Sequence, residues 1–262
     1  MEAAEATGQP LDSFQALYTG GAPVFPGLLA RLQALAPQAE VVAVYGSTEA
    51  EPIAEIPFRD MAPADLDAMR AGSGLLAGPP VHPEITLRVI RNTWGTPLAP
   101  MDGIAFNAMA CTAGEAGEIV VTGDHVLKGY LDGHGDEETK FRVDGRIWHR
   151  TGDAGRLDDQ GRLWLLGRCS ARIQGPAGDL WPFAVECAAL QVPGVKRAAL
   201  AQKDGRRLLA VEGDPDFDAL AKTLAWAALD AQIPVRQVPL DRRHNAKVDY
   251  PALEALLTRK VP

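Results

Sequence analysis

The sequence predicts a multidomain protein of the α/β and α+β classes. Its three parts are a partial α/β region over residues 1–82, a small β-barrel-like subdomain over 83–168 and a C-terminal α+β domain over 169–262. The prediction rests on a helix followed by a buried strand in the first part, short alternating strands in the second and a mixture of strands and helices in the third. A length of 262 residues agrees with two or three compact units.

The first part opens with a helix and a strand. One face of a helix over residues 27–36, introduced by Pro26, carries the leucines at positions 28, 29, 32 and 35. The apolar run 41–45 predicts a buried strand that ends in a polar turn, Gly46–Glu49. A second helix is expected over 63–70, because acidic residues in its first turn suit the helix dipole.

The second and third parts differ in their periodicity. Alternating or turn-bounded segments predict short strands of a barrel or sandwich over residues 85–90, 117–122, 145–148 and 162–166. After a linker at 168–170, where composition and charge change, the sequence predicts strands over 198–201 and 207–211 and helices over 184–190, 216–231 and 251–257.

Composition and motifs exclude several functional classes. The net charge of −8 argues against nucleic acid as the main partner, and no apolar run is long enough to span a membrane. The odd, widely spaced cysteines (Cys111, Cys169, Cys187) indicate neither a disulfide framework nor a zinc site, so we expect a cytoplasmic location. The five histidines lack metal-ligand spacing, no P-loop occurs, and Ser47 lies outside a G-x-S-x-G motif.

Polar segments at the strand ends carry the groups that a nucleotide needs. The segment Tyr45–Glu49 offers an aromatic face for a base, a hydroxyl for a phosphate oxygen and a carboxylate for Mg²⁺. Asp153 is expected on a tight turn, where it could accept hydrogen bonds from ribose hydroxyls, and Arg168 suits phosphate or ribose oxygens. Taken singly, each feature is more often structural: Asp153 as a turn former, Arg168 as a surface salt-bridge partner and the basic residues 243–247 as a solvated loop.

Taken together, these segments resemble the later half of the adenylate-forming superfamily, which includes acyl-CoA synthetases, firefly luciferases and peptide-synthetase adenylation domains. The resemblance runs from about Leu11 to Leu257 and is closest to the branch of long-chain acyl ligases and olefin β-lactone synthetases. The motifs that carry it are Thr19-Gly-Gly-Ala-Pro23, Tyr45-Gly-Ser-Thr-Glu49, Gly117-Glu-Ile with Gly129-Tyr130, Arg150-Thr-Gly-Asp153, Gly167-Arg168 and Asn245-Ala-Lys247.

The resemblance implies a nucleotide site for ATP or AMP. Gly21, Ala22 and Tyr45 would border the adenine. Asp153 and Arg168 would hold the ribose.

The resemblance also implies a catalytic set. Thr48 would contact the α-phosphate and Glu49 would hold Mg²⁺. Lys247 would reach both the acyl carboxylate and the α-phosphate, where an ammonium stabilises the negative charge that builds up between two anions.

The function implied is an ATP-dependent ligase that activates a small carboxylic acid, expected to be a fatty acid, as acyl-AMP and passes it to CoA or another acceptor. Two alternatives stay open. One is β-lactone formation from a β-hydroxy acid, which needs no CoA. The other is a non-catalytic remnant that binds a nucleotide or a protein partner.

Three features depart from the family pattern. Ser170 occupies the hinge position where the family has Asp or Lys, and the loop Gln174–Gly178 is unusual. The family's Ser/Thr/Gly-rich phosphate loop lies upstream of these motifs and is not in this sequence, so we expect that the chain alone does not turn over ATP. We also expect that the strand 41–45 lacks neighbours, which favours a homo-oligomer or the missing N-terminal half as a partner.

Overall fold

The computed structural model describes most of the chain as two compact units. The first comprises residues up to Leu66 and Leu76–Leu165, and the second comprises Asp67–Leu75 and the residues from Leu166 onward. The division into 1–82, 83–168 and 169–262 stays a prediction. No helix of the described part has the length and apolar character needed to cross a membrane. The described residues are 11–81, 83, 85–175, 178–241 and 246–260.

The first unit begins with a three-stranded sheet in the order β1-β2-β3, formed by β1 (Ala16–Thr19), β2 (Glu40–Ser47) and β3 (Ala50–Pro57). Strands β1 and β2 are parallel, and helix α1 (Pro26–Leu35) makes the crossover that a parallel pair requires. The predicted helix and strand are thus confirmed. The expectation that residues 41–45 lack neighbours is wrong, because β2 is the central strand and pairs on both sides.

The helix predicted over 63–70 is confirmed as α2 (Pro63–Arg70).

A six-stranded sheet corresponds to the predicted β-barrel-like subdomain. Its order is β4-β9-β8-β6-β5, with β7 paired to β8. The strands are β4 (Leu75–Gly78), β5 (Ile85–Ile90), β6 (Gly117–Gly123), β7 (Lys140–Val143), β8 (Arg146–Leu157) and β9 (Leu163–Arg168).

Strand β6 is buried along its whole length because both of its faces are covered. Ile119 and Val121 join an apolar cluster that includes residues of β3, β5 and β9. On the opposite face, Val120 packs with Trp148 and with Phe106 of helix α3 (Gly103–Met109). A one-turn helix, α4 (Asp136–Thr139), leads into β7. The β6 backbone is therefore a fixed platform for the segments that extend from it.

The second unit is an α+β domain, as the sequence predicts. Its sheet has the order β10-β11-β12, formed by β10 (Val195–Lys203), β11 (Arg206–Gly213) and β12 (Ala231–Val235). The helices are α5 (Pro182–Ala189), α6 (Phe217–Thr223) and α7 (Tyr250–Lys260). One apolar cluster joins residues of α5 and α6 to one face of the sheet, and a second cluster contains Leu253 and Leu257 of α7.

The helix predicted over 216–231 is wrong in its second half. Asp216 caps α6 through its side-chain oxygen, but the helix ends at Thr223. The chain then makes a short 3₁₀ turn and reaches Ala228, which has a left-handed φ of 46°. The alanine-rich run is compatible with a helix, but β12 gains parallel pairing with β11 instead, so tertiary pairing overrides local propensity.

The backbone conformation of Ala228 can be tested by mutation, because glycine changes stability in opposite directions at a left-handed and at a helical position. The variant Ala228→Gly should be about 1 kcal/mol more stable than the parent, because glycine relieves the left-handed strain of an exposed alanine. The matched control Ala221→Gly, at an exposed position inside α6, should lose about 1 kcal/mol. Urea unfolding measures both. A loss of stability in both variants would show that Ala228 is helical.

Candidate functional site

The loops after β1 and β2 lie at one edge of the first sheet, because the two strands are parallel. Gly20 lies directly against β2, where a Cβ atom would approach the Val44 carbonyl oxygen to 2.6 Å. Gly21 follows with φ +75°, and Ala22 is half-buried. The close approach at Gly20 therefore places Gly21 and Ala22 beside the strand that carries Tyr45.

Tyr45 and Asp153 lie together. The Tyr45 hydroxyl donates a hydrogen bond of 2.9 Å to Oδ2 of Asp153, although 108 positions separate the two residues. The Tyr45 ring also packs against the apolar cluster that contains Ile119 and Val121 of β6. Two groups that the sequence predicts for one nucleotide site thus occupy one place in the first unit.

Asp153 lies in a bulge of β8 and not on the predicted tight turn. Thr151–Asp153 lie opposite a single residue of β6, Ile119, so the register shifts between the flanking pairs. Thr151 Oγ1 donates to the Ile119 carbonyl at 2.9 Å and accepts from the Asp153 amide at 3.1 Å. Gly152 has φ +70°, and a Cβ atom there would lie 2.9 Å from the Trp94 ring. The extra residues turn Asp153 towards Tyr45.

A buried ion pair flanks this bulge. Nε and Nη2 of Arg150 donate to the two carboxylate oxygens of Glu118 at 2.7 and 2.6 Å, and both side chains are at most 1% exposed. Nη1 of Arg150 also donates to the Thr96 carbonyl at 2.6 Å, and its guanidinium lies 5.4 Å from the Trp94 ring centroid. The sequence places both residues in motifs without assigning them a role. The signal in the sequence is Glu118, a single acidic residue in an apolar strand, which implies a buried partner of opposite charge.

Glu49 occupies the two-residue turn between β2 and β3, together with the exposed Thr48. The Tyr130 hydroxyl donates to Oε1 of Glu49 at 2.9 Å, and the Leu127 amide donates to the Glu49 carbonyl at 2.7 Å. Partial burial raises the pKa of Glu49, but hydrogen bonds from Tyr130, its own backbone and Ser47 outweigh burial, so the net pKa is lowered. Glu49 is therefore a carboxylate at neutral pH.

Lys140 and His149 lie next to this pair, and the sequence indicates neither. The Lys140 ammonium donates to the Leu127 carbonyl at 2.8 Å, lies 3.0 Å from Nδ1 of His149 and lies 5.4 Å from the Tyr130 ring centroid. Burial, and then the charge of Lys140, lower the pKa of His149 to about 4. His149 is thus neutral at physiological pH, and its Nδ1 lies within hydrogen-bonding distance of both the Lys140 ammonium and, at 3.2 Å, the Thr139 carbonyl.

Arg168 and Lys247 belong to the second unit. Arg168 is the exposed last residue of β9, and Ser170 lies just beyond it in a 3₁₀ turn, Cys169–Ala171. The Lys247 backbone pairs with Asp241 through two hydrogen bonds of 2.8 and 3.2 Å. Residues 242–245, which include Asn245 of the matched motif, lie outside the described residues, as do residues 176–177 of the unusual loop. The convergence of Arg168 and Lys247 with Tyr45, Glu49 and Asp153 stays a prediction.

Comparisons with known proteins agree with the resemblance. The family model described as AMP-binding enzyme matches residues 1–131, so this chain belongs to that family. Over 92% of its length the chain is 32% identical to an olefin beta-lactone synthetase from Stenotrophomonas maltophilia, of which it covers 46%. It is 27% identical over 86% of its length to a 2-succinylbenzoate–CoA ligase from Enterococcus faecalis, of which it covers 38%.

A solved structure has the same fold. An amide bond synthetase from Marinactinospora thermotolerans superposes with a TM-score of 0.73 at 23% identity, over 94% of this chain and 47% of that one. The chain spans about half the length of the curated relatives it matches.

The buried His149 predicts how stability depends on pH. Between about pH 4 and pH 6.5 the unfolded chain binds a proton at this residue and the folded chain does not, so stability rises with pH over this window. The difference amounts to about 3 kcal/mol. Replacing His149 with Gln should flatten the slope in urea unfolding measured from pH 4 to 7.5, whereas His134→Gln, at an exposed position, should not. An unchanged slope in His149→Gln would mean that His149 is protonated in the folded chain.

Proposed function

We propose that this chain is part of an ATP-dependent acyl-adenylate-forming ligase that activates a carboxylic acid, expected to be a fatty acid, as acyl-AMP. The observation that carries the proposal is the hydrogen bond between Tyr45 and Asp153, next to the ionised Glu49, in a chain of the AMP-binding family. The activated acyl group would pass to CoA or another acceptor. The expected homo-oligomer, or a partner that supplies an upstream half, stays a prediction.

The proposed nucleotide site lies at the sheet edge described above. Gly21, Ala22 and Tyr45 would border the adenine, since the backbone approaches closely there and Tyr45 offers a fixed aromatic face. The carboxylate of Asp153 would accept hydrogen bonds from the ribose hydroxyls, and Arg168 is the second residue proposed to hold the ribose. The bonds that fix the Thr151–Asp153 bulge support this role, because they hold the carboxylate before any ligand binds.

The residues present fit a magnesium ion that accompanies ATP. Mg²⁺ is usually bound by one or two carboxylates together with substrate phosphates. Glu49 supplies an ionised carboxylate on the β2–β3 turn, and Tyr130 donates to its Oε1. When bound, Mg²⁺ would neutralise part of the phosphate charge, while Thr48 would contact the α-phosphate.

Lys247 is the proposed catalytic cation. Among the described residues its ammonium has no hydrogen bond or ion pair, so the charge is available for a ligand. A carboxylate that attacks the α-phosphorus builds up negative charge between two anions, and the ammonium would stabilise this charge in the transition state.

A second candidate function is β-lactone formation from a β-hydroxy acid. It is favoured by the 32% identity, over 92% of this chain, to two olefin beta-lactone synthetases. In that reaction the substrate's own hydroxyl attacks the acyl adenylate, so CoA is not needed. Product analysis with a fatty acid and a β-hydroxy acid, each with and without CoA, separates the two. It should be run on this chain and on this chain fused to the part of the relative that it does not match.

Nucleotide binding tests the proposal directly. Calorimetry should show binding of AMP and of an acyl-sulfamoyl adenosine, which mimics acyl-AMP, by this chain. Asp153→Ala should weaken both by about 10- to 100-fold, because the hydrogen bonds of the ribose to a charged acceptor are lost. The matched control Asp159→Ala, in an exposed turn, should bind like the parent.

Two outcomes would contradict the proposal. Unchanged affinity in Asp153→Ala would remove Asp153 from the site. No binding of either nucleotide by the folded parent chain would favour the non-catalytic alternative, in which the chain binds only a protein partner.

A further inference from the structure

We infer that Tyr130 is a positioning residue that orients the Glu49 carboxylate for a divalent cation, and that Lys140 and His149 hold Tyr130 in place. This inference rests on the proposed function, because Glu49 is the proposed magnesium ligand. The observation behind it is a chain of contacts in the first unit that joins the β2–β3 turn, the segment after β6, and strands β7 and β8.

The hydrogen bond from Tyr130 fixes one of the two carboxylate oxygens. Because Glu49 is ionised it can only accept, so the phenol donates to Oε1, and the 2.9 Å bond is charge-assisted. The adjacent bond from the Leu127 amide to the Glu49 carbonyl ties the same two segments through their backbones. With its backbone and one oxygen held, the carboxylate can rotate little, and Oε2 keeps one direction. Supporting contacts of this kind orient the ligands of metal sites in general.

Tyr130 is itself held from both ends. Its backbone amide donates to Oδ1 of Asp136 at 2.9 Å, at the start of α4. Its ring faces the Lys140 ammonium, whose distance of 5.4 Å from the ring centroid is within cation–π range. Because its backbone and its ring are both held, Tyr130 directs its hydroxyl towards Glu49.

Lys140 is held behind the ring by two contacts. It donates to the Leu127 carbonyl at 2.8 Å, and its nitrogen lies 3.0 Å from Nδ1 of the buried His149. His149 directly precedes Arg150, so the support for Glu49 and the support for Asp153 extend from adjacent positions of β8.

The test separates cation positioning from a merely structural role. ATP affinity is measured by calorimetry across a Mg²⁺ titration, and AMP affinity is measured in EDTA. Tyr130→Phe should lower the apparent Mg²⁺ affinity in the presence of ATP by about 10- to 100-fold and leave AMP binding in EDTA unchanged. Lys140→Met should show a smaller loss of the same kind. Tyr18→Phe, whose side chain is 65% exposed, should match the parent.

The outcomes distinguish this inference from the proposed function. If Mg²⁺ no longer strengthens ATP binding in Glu49→Gln but still does so in Tyr130→Phe, the inference is wrong and the role of Glu49 stands. Equal losses of AMP and Mg²⁺·ATP binding in Tyr130→Phe would show a structural role and overturn the inference. If Mg²⁺ does not strengthen ATP binding by the parent chain, both the inference and the magnesium role of Glu49 fail.

Discussion

The buried pair of Glu118 and Arg150 is the interaction on which the rest of the first unit depends. Two charges removed from water are tolerated only when each is paired and its remaining hydrogen-bonding capacity is satisfied. Here the guanidinium forms two bonds to one carboxylate and a further bond to the Thr96 carbonyl, and it lies near the Trp94 ring. Because the pair joins β6 to β8 across the Thr151–Asp153 bulge, it fixes where the extra residues of β8 can lie.

The bulge that this pair flanks brings Asp153 into contact with Tyr45, and these two residues belong to the proposed nucleotide site. Gly152 fits under the Trp94 ring, Thr151 bonds back to Ile119, and Asp153 then meets Tyr45 of the other sheet. Both sheets contribute to one apolar cluster, so the site stands on a packed core. The turn that carries Glu49 has separate support from Tyr130. The two anionic groups of the proposed site are thus each held by their own network.

Periodicity and motifs predict many of the helices, strands and candidate site residues. They do not predict which strands pair, or which side chains meet across them. The leucine pattern of α1 and the alternation in β5 and β6 report local geometry, so these elements could be predicted. The bond between Tyr45 and Asp153 is consistent with a family resemblance that groups these residues. The pair of Glu118 and Arg150, the bulge, and the contacts of Lys140 with His149 depend on strand register, which a single sequence does not reveal. The end of α6 at Thr223 does not follow from the sequence, because the alanine-rich run after it fits a helix equally well.

The most direct test of the central claim, that the buried pair positions the bulge of the proposed nucleotide site, measures stability and AMP affinity together. Arg150→Met should lose about 3–5 kcal/mol, because it leaves Glu118 buried and unpaired. The double variant Glu118→Leu/Arg150→Met should regain most of this stability, since the two apolar side chains can pack together. It should nevertheless bind AMP at least about tenfold more weakly than the parent chain, because the bulge is no longer held in register. A stable double variant that binds AMP as tightly as the parent would contradict the account.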